Sequence, residues 1–218
     1  RLHRDECLRN RMGFNNQGVN ALIQRLAQKQ YDGILGINIG KNKTTPLERA
    51  GEDYKIAMKK VYPYADYITI NVSSPNTPEL RKLQSPEFFP TLLAELQYVR
   101  ETLIGEYQKR VPILIKISPD ETDESLVQMT NWVLDFEMDG MIATNTTANH
   151  QSIQSWLTPE MQGGLSGRPL AEQSLHCLKI IRNILGKDKC IISVGGIDSV
   201  DIAKERLSSG ADLIQLYT

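Results

Sequence analysis

At 218 residues, 40% hydrophobic and 23% charged, the chain suits one α/β domain with a sizeable core. A formal net charge of -1 gives no electrostatic reason to bind nucleic acid or an anionic membrane surface, and no apolar run approaches a membrane span. Three cysteines, Cys7, Cys177 and Cys190, show no metal-like spacing, and their odd count argues against a disulfide framework and for a reducing compartment. No signal peptide is visible. Both ends look cut, since the chain begins at Arg1 and stops at Thr218, directly after a strand-like run.

In chain order, Arg1 to Asn10 is polar and weakly alternating, which predicts a short hairpin outside the main sheet, followed by a loop over Asn10–Asn16. A helix is expected from about Gln17 to Gln30, with Val19, Leu22, Ile23 and Leu26 on one face. A strand over Gly33–Ile39 ends in Gly40-Lys41-Asn42, and Pro46 to Val61 reads as a second helix. Tyr67-Ile68-Thr69-Ile70 is the next strand, rich in β-branched and aromatic residues, and it stops in Asn71-Val72-Ser73-Ser74-Pro75-Asn76. Proline restricts the residue before it and cannot continue a ladder, so Ser74 is expected in an extended, pinned loop. A plain strand-ending turn explains these residue types as well.

Ser85-Pro86-Glu87 reads as a helix start with a capping serine, and Phe88, Leu92, Leu96, Val99 and Leu103 carry the helix onward. Val111–Ile117 is a buried-type strand ending in Ser118-Pro119-Asp120; a helix through Leu126, Thr130, Val133 and Leu134 leads to a strand over Gly140–Ala143 that ends in Thr144-Asn145-Thr146-Thr147. Past a long glycine-containing loop, a helix runs from about Leu170 to Leu185, and Cys190–Val194 forms a strand ending in Gly195-Gly196-Ile197-Asp198. A short helix capped by Ser199 and closed near Gly210 precedes a last strand over Asp212–Tyr217.

Six strands thus alternate with helices, each a continuous apolar run as expected of a parallel sheet covered on both faces. That pattern leaves the doubly wound sheet and the (β/α)8 TIM barrel. The barrel is preferred because every strand ends in a polar or glycine cluster, whereas a doubly wound sheet needs them only near its switch point. Six strands do not close a barrel of eight, so two are expected outside this chain, leaving residues 1–218 as one barrel domain incomplete at both ends.

Collected at one face, the strand ends offer Asn38, Asn71, Ser74, Asn76, Lys116, Thr144, Asn145, Thr146 and the Gly195-Gly196 turn. Asparagines donate and accept, which suits a planar ligand edged with amides and carboxylate oxygens. For one Asn, capping a loop is the commoner role; coincidence at four strand ends weakens that explanation. Lys116 in an apolar strand suits an anion or a ring that becomes electron-rich on reduction. Gly163-Gly164-Leu165-Ser166-Gly167-Arg168-Pro169 immediately before a helix and the Gly195-Gly196 turn, with backbone amides at Tyr217-Thr218, offer bare amides for a phosphate. His3, His150 and His176 lack metal or triad partners and read as surface or packing residues, and no metal site is expected.

Seven segments carry a resemblance. NRMGFNN at Asn10–Asn16, GINIGKN at Gly36–Asn42, NVSSPNTP at Asn71–Pro78, KISPD at Lys116–Asp120, ATNTT at Ala143–Thr147, GGLSGRPL at Gly163–Leu170 and VGGIDS at Val194–Ser199 together resemble the class 2 dihydroorotate dehydrogenases. Their joint order and spacing cover essentially the whole chain. The resemblance implies a (β/α)8 barrel binding FMN, oxidation of dihydroorotate to orotate in pyrimidine synthesis, and a quinone as electron acceptor. Ser74 matches the catalytic base. It would take the C5 proton while a hydride leaves C6, and an unperturbed serine needs a relay for this, for which Thr77 or a water near Phe14 are the expected parts. Asn10, Arg11, Met12, Gly13, Phe14, Asn71, Asn76, Asn145 and Thr146 match substrate-binding positions. Asn38, Asn71, Lys116, Thr144, Gly167, Gly196, Tyr217 and Thr218 match FMN-binding ones.

Thr218, Ser118 and Val72 replace a common serine, alanine and isoleucine respectively. The family's first two barrel strands and its final segment are expected outside Arg1–Thr218. So are the N-terminal helices that imply peripheral association with a membrane, the cytoplasmic face of a bacterial inner membrane or the mitochondrial inner membrane. Two alternatives stand beside this: another FMN barrel oxidoreductase, class 1 or dihydropyrimidine-type, against which Ser74 and the NRMGFNN loop argue, and a truncated chain that is not catalytic alone.

Overall fold

Six apolar runs form one parallel sheet in the computed structural model, which describes residues 1–28, 32–151, 153 and 163–217. Its strands are β2 (Gly36–Ile39), β3 (Tyr67–Asn71), β4 (Ile113–Lys116), β5 (Gly140–Ala143), β7 (Cys190–Val194) and β8 (Leu213–Gln215), and they lie side by side in chain order. A doubly wound sheet reverses its strand order at a switch point; this one never does, so the six strands form an arc of a (β/α)8 barrel. The helices are α1 (Val19–Gln28), α2 (Ala50–Val61), α3 (Phe89–Tyr107), α4 (Asp123–Asp135), α5 (Ala171–Leu185) and α6 (Val200–Ser208). The expected end of α1 at Gln30 lies outside the described residues.

Side chains alternate across each strand, and both faces are covered, which is why the runs are continuously apolar. Ile113, Ile115, Met141 and Ile191 join the main cluster, packed with helix residues such as Tyr54, Leu96, Met129 and Leu178. Their strand neighbours Leu114, Ile142 and Ile192 form a second, smaller cluster with Val194, on the inner face of the arc.

The opposite ends of the strands are fastened by a repeated device that the sequence reading did not pick out. Asp66, Asp139 and Asp212 each stand just before a strand and accept a backbone N–H at or within one residue of the start of the neighbouring strand. Asp66 Oδ2 takes Leu35 N at 2.7 Å, Asp139 Oδ2 takes Ile113 N at 2.8 Å, and Asp212 Oδ2 takes Ile191 N at 2.7 Å. Each carboxylate thereby satisfies a donor that the parallel ladder leaves unpaired.

Two expectations are corrected. Ser85 does not cap a helix: it closes the 3-10 helix Leu80–Gln84, and α3 begins at Phe89, after a turn in which Ser85 O accepts from Phe88 N and Phe89 N at 3.1 and 2.9 Å. The glycine run before α5 is not an open loop. Gly164–Gly167 is a strand, β6, paired antiparallel with β1 (Cys7–Asn10) in register from Cys7↔Gly167 to Asn10↔Gly164. Gly164 must be glycine, because a Cβ there would stand 2.0 Å from Thr146 Oγ1. The N-terminal segment lies outside the main sheet as expected, yet its main partner is distant in sequence, with a local bridge only between Leu2 and Cys7. The Ser199 cap is present, its Oγ accepting from Ile202 N at 3.3 Å.

Candidate active site

The C-terminal strand ends meet in a cavity of about 250 Å³. From β3 and the loop after it come Asn71, Ser74 and Asn76, from β4 Lys116, from β5 Thr144, Asn145 and Thr146, and from β7 the Gly195-Gly196 turn. Asn71 is 4% exposed and is held from several sides. Its Oδ1 accepts from Ser73 N at 3.2 Å, Ser73 Oγ at 3.1 Å and Asn145 Nδ2 at 3.3 Å. Its backbone carbonyl accepts from the buried Tyr54 hydroxyl at 2.8 Å. Burial pushes that phenol's pKa up, so Tyr54 stays a donor. Asn145 Oδ1 accepts from Thr146 N at 2.8 Å, and Asn76 Nδ2 donates to Asn10 O at 3.2 Å and Asn10 Oδ1 at 3.3 Å. The asparagines therefore orient one another.

Beneath this set lies an ion pair that links three strand ends and was not foreseen. Arg81 Nε donates to Ser73 O at 3.2 Å, Nη2 to Thr146 O at 3.0 Å, and Nη1 to Asp120 Oδ2 at 2.6 Å. Asp120 also accepts from Ala148 N at 2.7 Å, from Thr147 Oγ1 and from Gln173 Nε2 at 3.4 Å. A single guanidinium thus spans the loops after β3, β4 and β5. Asp120 was visible only as part of a strand-ending cluster; nothing near Arg81 in the sequence marks its partners.

Nearly all the expected site residues border the cavity: Asn10, Gly13, Phe14, Asn38 and Gly167 do so, as does Tyr217. Arg11 and Met12 instead border an adjoining cleft with Asn16 and Lys43, and Met12 is 68% exposed. Thr218 lies outside the described residues. Gln215, on β8, is a lining residue that sequence reasoning passed over; its signal is a lone amide between Ile214 and Leu216.

Several groups in the wall have no protein partner among the described residues. Gln215 Oε1 is buried without a donor. Lys116 Nζ makes no hydrogen bond or ion pair, and burial pushes its pKa down from 10.5 to about 8. Ser74 is 7% exposed, and its Oγ accepts from Asn76 N at 3.3 Å while its hydroxyl hydrogen is not committed to any protein acceptor. Thr77, the expected relay, is not hydrogen-bonded to Ser74.

Lys116 carries a measurable consequence. Between pH 8 and 10.5 the folded state loses the ammonium proton that the unfolded chain keeps, so the destabilisation is complete below pH 8 and is relieved as pH rises through that window. Lys116→Met is therefore expected to stabilise the ligand-free full-length protein by roughly 1–3 kcal/mol at pH 7. Urea unfolding of both proteins across the window measures it, and a difference that does not shrink with rising pH would rule out a buried ammonium.

Residues 1–218 match the protein family described as Dihydroorotate dehydrogenase. The dihydroorotate dehydrogenase (quinone) of Legionella pneumophila (strain Corby) is 49% identical over 218 residues, which is 100% of this chain and 66% of that protein. The protein of the same name from Idiomarina loihiensis is 49% identical, with 65% of its length covered. The crystal structure of DHODH in complex with ferulenol from Eimeria tenella superposes with a TM-score of 0.91 at 33% identity, over 100% of this chain and 63% of that one. The chain thus spans just under two thirds of the length of these relatives.

Proposed function

Because this chain belongs to the dihydroorotate dehydrogenase family, we propose that it is the greater part of a quinone-dependent dihydroorotate dehydrogenase, an FMN enzyme that oxidises (S)-dihydroorotate to orotate in pyrimidine biosynthesis. The observation that supports this best is the cavity itself. It gathers a near-buried serine, two hydrogen-bonded asparagine pairs (Asn71 with Asn145, Asn76 with Asn10) and an unpaired lysine at one end of a barrel-type sheet.

The unpaired groups suit a flavin. Gln215 Oε1 is an acceptor awaiting a donor, Lys116 a cation awaiting an electron-rich edge, and the Gly195-Gly196 turn a backbone cradle that no side chain could fit: a Cβ on Gly196 would stand 2.5 Å from Ala171 N. Asn38, Asn71, Lys116, Thr144, Gly167, Gly196 and Tyr217, with Thr218, are the residues proposed to hold FMN. Bound flavin supplies the acceptor for the hydride from C6 of the substrate.

Ser74 Oγ is proposed to take the proton from C5, so that loss of a proton and a hydride leaves the C5=C6 double bond of orotate. A serine hydroxyl is a weak base at its ordinary pKa, so its proton must pass onward to a water on the Phe14 side or toward Thr77. Asn71, Asn76, Asn145 and Thr146 are proposed to orient the substrate's amide and carboxylate edges, with Asn10, Gly13 and Phe14 at the cavity wall; Arg11 and Met12, proposed from the resemblance, border the adjoining cleft. Lys116 offsets negative charge on the ring system beside it.

The printed names of the relatives support a quinone as final acceptor. Among the described residues no helix is long and apolar enough to cross a membrane. Peripheral attachment to the cytoplasmic face of a bacterial inner membrane, or to a mitochondrial inner membrane, through segments beyond this chain is proposed from the quinone named for the relatives.

The deciding experiment is anaerobic. Dihydroorotate added to the full-length protein should bleach its visible flavin absorbance, and a soluble quinone should restore it faster than fumarate or NAD. A flavin left oxidised by dihydroorotate refutes the substrate, and faster return with fumarate or NAD refutes the quinone class.

A further inference from the structure

Arg206, on α6, is 1% exposed, and among the described residues it forms no ion pair with a carboxylate. Its partners are neutral. Nη1 donates to Ser174 Oγ at 2.7 Å and more weakly to Ser193 Oγ at 3.5 Å, and Nη2 donates to Ala171 O at 2.5 Å and Gly195 O at 3.2 Å. Ser174 Oγ in turn donates to Gly195 O at 2.8 Å. Nε has no acceptor. A guanidinium buried among neutral dipoles costs several kcal/mol, and buried charges are ordinarily paired or hold an anion.

The two carbonyls it holds belong to the two walls of the glycine cradle. Gly195 O is in the turn after β7, and Ala171 O is in the first turn of α5. These walls are in contact, since a Cβ on Gly196 would strike Ala171 N and Cα at 2.5 Å each. Because a trans peptide is planar, drawing the Gly195 carbonyl towards Arg206 turns the N–H of Gly196 the opposite way. That N–H has no acceptor among the described residues, and Gly196 borders the cavity.

We propose that Arg206 is a positioning residue that fixes the Gly195–Gly196 turn against the start of α5, aims the free Gly196 amide at the ligand, and supplies from behind the turn the positive charge that selects a phosphate ester. The inference rests on the reading above that this end of the cavity receives the flavin phosphate. Arg206 does not touch the ligand. It acts through the backbone, and its field reaches an anion through a dry, low-dielectric layer.

The test compares FMN with riboflavin, which lacks only the phosphate. Dissociation constants of both are measured by quenching of flavin fluorescence on the ligand-free full-length protein, for the wild type, Arg206→Met and Arg206→Lys. The wild type should prefer FMN strongly. Arg206→Met should lose about tenfold or more in FMN affinity while riboflavin changes less than about twofold, and Arg206→Lys should recover most of the loss. Equal losses for both flavins, or no loss, overturn the proposal and make Arg206 a fold element only. Should Arg206→Met fail to fold, Arg206→Gln keeps hydrogen-bond donors without the charge; the same selective loss supports the proposal and an unchanged FMN-to-riboflavin ratio overturns it. A wild type that binds the two flavins equally refutes the phosphate assignment itself, a result distinct from either.

Discussion

Ser74→Ala should slow flavin bleaching by dihydroorotate about 10²- to 10⁴-fold in the full-length protein, the range expected for losing a general base. The substitution removes one oxygen, adds no bulk, and gives up one turn hydrogen bond, from Asn76 N at 3.3 Å. That bond is long, so stability should fall by no more than about 1 kcal/mol. Asn145 keeps its hydrogen bonds to Asn71 and Ser73, and Asn76 its bond to Asn10, without the Ser74 hydroxyl. Substrate affinity should consequently stay within a few-fold of wild type. Stopped-flow absorbance at saturating dihydroorotate separates the two quantities. A bleaching rate within tenfold of wild type would remove Ser74 from the role of base.

Asp120→Ala should lower the stability of the full-length protein by about 3 kcal/mol, the loss expected when one partner of a largely buried pair is deleted. The side chains of Arg81 and Asp120 are only 24% and 20% exposed, so water compensates poorly for the missing carboxylate. The deletion removes the carboxylate from Arg81 Nη1 and the buried Thr147 hydroxyl, leaving the exposed Ala148 amide to water. It also frees the lever by which Arg81 holds Ser73 O and Thr146 O, so dihydroorotate should bind more weakly as well. Thermal unfolding should show a Tm lower by roughly 5–10 °C. Asp123→Ala is the control. That carboxylate is 60% exposed in its pair with His176, so its loss should cost under about 1 kcal/mol. Equal effects from the two substitutions would refute the idea that Asp120 anchors the strand ends.

The sequence was most legible where the signal is local. The six sheet strands are apolar runs bounded by polar or glycine clusters, and those after β3, β5 and β7 line one cavity while Gly40-Lys41-Asn42 borders the adjoining cleft. Thr69 and Lys116 did not hide their strands, since the flanking isoleucines carry the pattern. What escaped was non-local. Gly164-Leu165-Ser166-Gly167 has little strand propensity and becomes β6 only through pairing with Cys7–Asn10. Arg81 and Asp120 are 39 residues apart, and neither announces the other. Arg206 looks in sequence like any charge on a short exposed helix, and only the packed structure shows it buried. Ser85 failed for the opposite reason: Ser-Pro-Glu satisfies the local rule for a helix start, while the chain spends those residues closing the 3-10 helix over Leu80–Gln84.

The ribbon of β1 and β6 bears on how the site is assembled in time. Neighbouring strands of the sheet are also neighbours in the chain, so each pairing closes a modest loop. The ribbon joins Asn10 to Gly164, a closure of about 150 residues whose entropic cost must be met before the contact returns anything. Asn10, which meets Asn76 at the cavity rim, is delivered by that closure. The barrel arc can thus condense from local units while the cavity rim waits for the two distant segments to find each other, which is expected to make that edge a late product of folding.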